Sequence, residues 1–316
     1  MWGKFMRKGL KVPTRAEHWT TPDNDTIELR RLDVPDAAPS APRLLVLHGL
    51  EGTIESHYLR GILDLARQRR WPADVLLFRG CNGQLNRARR MYHSGETTDL
   101  SFVIDRLVAA EPERDLLLVG FSLGGNVLLK FLGEHGRAVP PQIRAAAAMS
   151  VPFDLERGCR HLERGFARVY NRHFLRTLKR KALAKLDRFP DLFDDTTARE
   201  AETLYEFDDA VTAPVHGFVD AHDYYSKSSS IRFLHGIAVP TLLLSAYDDP
   251  FLPRQVLDDV QALSLGNERI HTEFHAKGGH VGFVSGQSPN DQRFYGEHRM
   301  MEFLGQHLAA GSIISP

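Results

Sequence analysis

Cysteine is nearly missing from this 316-residue chain: Cys81 and Cys159 are its only two, too few for a disulfide framework and without the paired spacing of a structural zinc site. A reducing compartment is therefore expected. An excess of either charge is missing too, since forty basic residues balance forty acidic ones, and nothing in the global charge draws the chain to nucleic acid or to anionic membrane. No apolar run approaches the ~20 residues of a membrane span. The basic stretch from Met1 to Arg15 lacks the apolar core of a signal peptide. A cytoplasmic location and a small-molecule partner are the expectations left standing. Internal repeats and low-complexity tracts are absent as well, which excludes solenoids and extended linkers.

What is present is the composition of an ordinary globular protein, 42% hydrophobic and 25% charged, with enough apolar side chain for a substantial core. Short apolar runs alternate with segments of helical period. Arg43 to Leu47, Asp74 to Phe78, Asp115 to Phe121, Ile143 to Ser150, Pro240 to Ala246 and Ile270 to Phe274 read as strands. Helices are expected at His57 to Arg70, Thr97 to Ala110, Leu123 to Glu134, Arg254 to Ala262 and Gln292 to Leu308. Ahead of them, Arg15 to Thr21 and Thr26 to Leu32 flank the turn Pro22-Asp23-Asn24-Asp25 and predict a hairpin. Such alternation predicts an α/β fold whose central, mostly parallel sheet carries helices on both faces.

One stretch interrupts the pattern. Phe153 to Leu234 has no strand run and is rich in Arg, Lys, Phe and Tyr, so a helical cap over about 153–235 is expected, inserted in a single domain whose core spans about 15–152 and 236–310. Within the cap, Arg160, Arg164, Arg168, Arg172, Arg176 and Arg180 recur every fourth residue. Steps of four advance ~40° each on a 3.6-residue helix. The row then winds around the helix, and a solvated, salt-bridged surface is favoured over an anion-binding stripe.

The chemistry is concentrated at three places. Gly120-Phe121-Ser122-Leu123-Gly124 follows the apolar run Leu116 to Val119 and opens a helix. A serine on that sharp strand-to-helix turn projects its hydroxyl at the sheet edge, and flanking glycines remove Cβ atoms where strand and helix approach. A glycine-rich turn with an N-capping serine has the same letters, so the motif needs partners. Serine hydroxyl is a poor nucleophile at neutral pH and requires a base held in one tautomer by a third group.

Candidates for both follow the late strands. Lys277-Gly278-Gly279-His280 comes after Ile270 to Phe274, and its glycines give His280 a loop able to reach Ser122. Ala246-Tyr247-Asp248-Asp249 follows Thr241 to Ser245. Adjacent residues of an extended segment point opposite ways, so only one aspartate can face the histidine. Asp249, four residues before Pro253, is the first choice and Asp248 the alternative. Donors for a developing oxyanion contribute roughly 3 to 4 kcal/mol each. The N–H of Leu123, next after the serine, is one candidate, and that of Leu50, in the loop His48-Gly49-Leu50-Glu51-Gly52, is the other.

With these pieces, the chain resembles the YheT-like branch of the α/β-hydrolases, bacterial relatives of eukaryotic α/β-hydrolase-domain esterases and lipases. The likeness runs from about Thr20 to Leu308. Besides the motifs above it includes Phe78-Arg79-Gly80-Cys81-Asn82-Gly83, Tyr92-His93-Ser94-Gly95-Glu96-Thr97-Thr98-Asp99, and Gly279-His280-Val281-Gly282-Phe283. The resemblance implies the α/β-hydrolase fold, a triad of Ser122, Asp249 and His280, and an esterase or lipase-like activity without metal or organic cofactor.

The leading expectation is hydrolysis of a carboxylic ester, acyl or lipid-like, through an acyl-enzyme. Amide hydrolysis or acyl transfer would use the same residues, and a non-catalytic binding protein could keep the scaffold. Metal-dependent hydrolysis would look to His271 and His275, which fall on an expected strand without a Glu-bearing helical motif. Arg79, Asn82, Arg87, Arg89 and His93 either line a polar entrance or tie down a long loop; the loop reading is preferred.

Overall fold

The computed structural model describes residues 10–288 and 291–308. Its first two strands, β1 (Arg15–Thr20) and β2 (Thr26–Leu32), form the expected antiparallel hairpin. Asn24 turns the chain with φ of 59°, a conformation asparagine tolerates better than most residues. Six further strands complete the main sheet: β3 (Arg43–Leu47), β4 (Ala73–Leu77), β5 (Leu116–Phe121), β6 (Ile143–Met149), β7 (Thr241–Ala246) and β8 (Ile270–His275). Their order is β1-β2-β4-β3-β5-β6-β7-β8, parallel from β4 onward. Leu, Val and Ala fill β3, β5 and β6 because both faces of a parallel sheet are covered, and Leu44 to Leu47 are wholly buried.

Two layers provide that cover. On one face, α1 (His57–Gln68) packs beside α11 (Tyr295–Gln306). On the other lie α2 (Thr98–Ala110), α3 (Leu123–His135) and α10 (Arg254–Ser264). The α/β fold expected from the strand and helix pattern, a mostly parallel sheet with helices on both faces, is what the chain adopts.

Between β6 and β7 the chain is helical. It runs through α4 (Leu155–Leu162), α5 (Arg168–Leu186), α6 (Asp195–Glu200), α7 (Leu204–Phe207), a π-turn over Asp208–Thr212, α8 (Ala213–His216) and α9 (Ala221–Ser228). Asp154, Asp194, Thr203 and Asp220 each accept a backbone N–H at a helix start, the cap that short helices need to begin. The segment buries two apolar clusters of its own, one around Leu155, Tyr224 and Tyr225 and one around Leu175, Phe193 and Phe207.

One expected element differs. The helix anticipated from Gln292 begins only at Tyr295, because Asp291–Phe294 is a strand, β10, paired antiparallel with β9 (Val284–Ser288). The helical period of Tyr295 to Leu308 stops short of Gln292 to Phe294, which belong to the strand paired with β9 instead. Residues 309 and 310, the end of the expected core, lie outside the described residues. Among the described residues no helix is long and apolar enough to cross a membrane.

Candidate active site

Ser122 lies between β5 and α3 with φ of 51° and ψ of −121°, a strained backbone that the surroundings hold in place. Its N–H donates to the Met149 carbonyl of β6 at 2.8 Å. A Cβ at Gly120 would come within 2.6 Å of the Gly125 Cα, and one at Gly124 within 2.5 Å of the His48 carbonyl oxygen. Both glycines are therefore required by the close approach of helix and strand, as the motif implied.

His280 and Asp249 meet Ser122 at this edge. Ser122 Oγ is 3.0 Å from His280 Nε2, and His280 Nδ1 is 2.8 Å from Asp249 Oδ2 and 3.1 Å from Oδ1. The Asp249 carboxylate is buried and also accepts the Phe251 N–H at 2.9 Å, which fixes its plane. The Phe251 ring lies 4.0 Å from the imidazole, centroid to centroid. An imidazole so placed can hold Nδ1–H on the carboxylate and receive the serine proton at Nε2. Asp248 is elsewhere: exposed, its Oδ1 accepts the N–H groups of Gly278 and Gly279, both at 2.8 Å.

The loop after β3 supplies the second donor candidate. Gly49 N–H donates to the Tyr58 hydroxyl and Glu51 N–H to that of Tyr92, both at 3.0 Å. Between them, the N–H of Leu50 has no acceptor among the described residues, and neither does that of Leu123. Both residues line the same cavity as Ser122 and His280. His48 locks this loop from below, Nδ1–H donating to the Gly49 carbonyl at 2.7 Å and Nε2 accepting from Phe78 N–H at 3.1 Å. Burial lowers its pKa to about 4, so it is a neutral structural tie.

The cavity, about 140 Å³, runs from Ser122 into the helical segment. Its wall is largely apolar, with Leu155, Leu162, Phe174, Leu178, Phe207 and Val211 among its residues. A few polar groups interrupt it. His216 is pushed down to about 4 by burial, and His93 is also lowered by burial and by its neighbour His216. Asp208 is raised to about 6 by burial, against hydrogen bonds from Thr212 and Tyr225. Neither cysteine is a ready nucleophile, because burial pushes both thiols up to about 12 and keeps them protonated.

The segment after β4 is a tied loop rather than a polar entrance. Arg79 is buried and donates to Asp99, Asp23 and Asp25, while Arg90 reaches Asp23, Glu96 and Asp99. Asn82 donates to Glu28, Arg89 pairs with Asp191, and the Arg87 N–H donates to Asp25. Only His93 of the five residues considered reaches the cavity wall. The pairing of Glu51 with Lys181 is not signalled by the sequence. Lys181 Nζ of α5 donates to Glu51 Oε1 at 2.8 Å, where the Tyr92 hydroxyl also donates at 2.7 Å. No local pattern signals a contact across 130 residues.

A serine on a strained strand-to-helix turn at the edge of this sheet defines the class, and residues 42–287 match the alpha/beta hydrolase fold family. The chain belongs to that family and, within it, to the YheT-like branch. It is 39% identical to the Escherichia coli (strain K12) protein YheT over 311 residues, 98% of this chain and 90% of the other. It is 30% identical to phospholipase ABHD3 of Mus musculus over 98% of this chain and 76% of that one. Among solved structures, the esterase Pf2001 of Pyrococcus furiosus superposes with a TM-score of 0.62 at 18% identity, covering 96% of this chain and 93% of that one, a likeness of fold.

Proposed function

We propose that the protein is a serine esterase acting on carboxylic esters with an acyl or lipid-like group. The carrying observation is the unbroken chain of contacts from Ser122 Oγ through His280 to the buried Asp249 carboxylate. In this reading His280 Nε2 takes the Ser122 proton as Oγ attacks the acyl carbon. The N–H groups of Leu50 and Leu123 bind the tetrahedral oxyanion, and His280 returns the proton to the departing alcohol. Water, deprotonated by His280, then attacks the acyl-enzyme; the carboxylic acid leaves and Ser122 regains its proton.

The apolar cavity beside Ser122 supports an acyl group as the bound part of the substrate. The similarity to a protein named phospholipase ABHD3 points the same way. The reading includes one domain, core 15–152 and 236–310, with 153–235 as a cap over the site. Two buried free thiols support a reducing, cytoplasmic setting.

A fluorophosphonate probe and a series of p-nitrophenyl esters of increasing chain length test the proposal. The intact protein should label and turn over, and Ser122→Ala should abolish labelling and lower kcat by about 10⁵ or more. An intact protein that neither labels nor cleaves any ester of the series ends the esterase reading.

A further inference from the structure

The balance of forty positive against forty negative residues conceals a strong local imbalance. Helix α5, nineteen residues long, holds Lys and Arg side chains and no Asp or Glu at all. Two of its cations turn inward: Lys181 meets Glu51, and Lys185 Nζ donates to the Asn86 and Ala88 carbonyls. The others face away from the sheet. Arg168, Arg172, Arg176 and Arg180 are exposed, and among the described residues none of their guanidinium groups meets a carboxylate. Lys179 lies among them, held by the Arg199 carbonyl at 2.5 Å.

The expected winding of the arginine row is limited over this length. Three steps of about 40° sweep roughly 120°, one face of the helix, over about 18 Å. These five cations line one open groove of about 660 Å³ together with two carboxylates, Glu163 and Glu202, of which Glu163 is 3.7 Å from Arg160. Among the described residues the salt-bridged surface expected from sequence is thus confined to Arg160, and the other arginines of the row are exposed with no carboxylate in ion-pair contact.

We propose that this outer face of α5 docks the protein on an anionic lipid surface. A single phosphate engages two or three guanidinium groups. A band of five cations about 18 Å long instead suits several headgroups at once, as a charged bilayer presents them. Val169 on the same face is 54% exposed, placing an apolar side chain where it meets the interfacial region. The inner face of the same helix carries Phe174 and Leu178 into the wall of the cavity beside Ser122. Docking therefore sets the acyl-binding cavity one helix thickness from the lipid. That continuity favours lipid over nucleic acid as the anionic partner. Only the purpose of docking rests on the esterase reading; binding itself does not.

The test is sedimentation of the intact protein with vesicles of phosphatidylcholine alone and of phosphatidylcholine with about one part in three phosphatidylserine. Binding is expected to the second only, and to fade as salt shortens the range of the attraction. The variant R168Q/R172Q/R176Q/R180Q should bind on the order of 600-fold more weakly, from about fivefold for each of the four lost cations. A control pair on other surfaces, Arg137→Gln and Arg269→Gln, should bind as the intact protein does. Cleavage of a soluble short-chain ester and the far-ultraviolet circular dichroism, followed in parallel, separate loss of docking from loss of fold or from failure of the esterase reading. Equal binding to both vesicle types, no binding to either, or an unweakened quadruple variant overturns the proposal. So does binding to single-stranded polyuridylate in place of the anionic vesicles, which would reassign the face to nucleic acid.

Discussion

Asp248 and Asp249 turn their carboxylates to neighbouring groups of one loop: Asp249 meets the imidazole of His280, and Asp248 holds the N–H groups of Gly278 and Gly279 that precede it. The first contact sets the tautomer and the second anchors the backbone from which the imidazole projects. Asp249→Asn keeps the shape but lets Nδ1 face an amide donor, so kcat should drop by about 10⁴. Asp248→Asn retains an acceptor oxygen and should cost less than about threefold. Asp248→Ala frees the loop and should lower kcat by about tenfold, an effect of preorganisation. Steady-state kinetics on one activated ester distinguishes the three; a larger loss at Asp248→Asn than at Asp249→Asn would invert the assignment.

Lys181 and Glu51 connect the helical segment to the loop that presents the Leu50 N–H. The Glu51 carboxylate is buried, so removing its cation leaves a charge without its main partner, a costly change. Lys181→Met is therefore expected to disturb the loop and lower kcat by about tenfold with little change in KM, because an oxyanion donor acts on the transition state rather than on bound substrate. Lys181→Arg should recover most of the loss. A change confined to KM would mean that the pair shapes the cavity instead.

Asp208 gives a pH-dependent stability effect of predictable sign. Its pKa in the folded protein, about 6, lies above the ordinary 3.8, so folding favours the protonated form. The stabilising contribution is complete below 3.8 and is lost as pH rises through 6; above that the folded protein carries a charge it is ill suited to solvate. Asp208→Asn keeps polar contacts to Thr212 and Tyr225 without the charge. The variant should be more stable than the parent at pH 8, by about 1 to 2 kcal/mol, and should lose that advantage by pH 4. Thermal melts of both proteins at the two pH values provide the comparison.

The strands and the Ser122 turn were legible because their signals are local: apolar runs bounded by turns, and glycines at the two positions where a Cβ meets backbone. The candidates His280 and Asp249, which the fold brings to Ser122, were legible because open α/β sheets place their ligands just past the ends of their strands. The boundary at Tyr295 was not, since the pairing of β9 with β10 is decided by the partner strand and leaves no helical or polar break in Gln292 to Phe294. That the α5 arginines meet no carboxylate among the described residues was equally hidden. Whether a carboxylate faces a given arginine depends on elements brought over it by folding, and helical spacing alone reports only which side chains share a face.

His48 places a second pH dependence at the base of the Leu50 loop, opposite in sign to that of Asp208. Its pKa in the folded protein, about 4, lies below the ordinary 6.5, because burial disfavours the charged imidazole and the Lys181 cation adds to this, against the hydrogen bond to the Gly49 carbonyl. Between 6.5 and 4 the unfolded chain therefore binds a proton that the folded one refuses. The stability from His48 is complete above 6.5 and is lost as pH falls through 4, a change of up to about 3 kcal/mol. His48→Gln removes the titration at the cost of poorer hydrogen bonds, so it should be less stable than the parent at pH 7. Its stability should fall less steeply toward pH 4.5, with His216 still contributing in the same direction. Urea unfolding at pH 7, 6, 5 and 4.5 gives the slope of stability against pH for each protein. Parallel slopes would mean that His48 accepts its proton in the folded state, and the neutral tie between β3 and β4 would have to be abandoned.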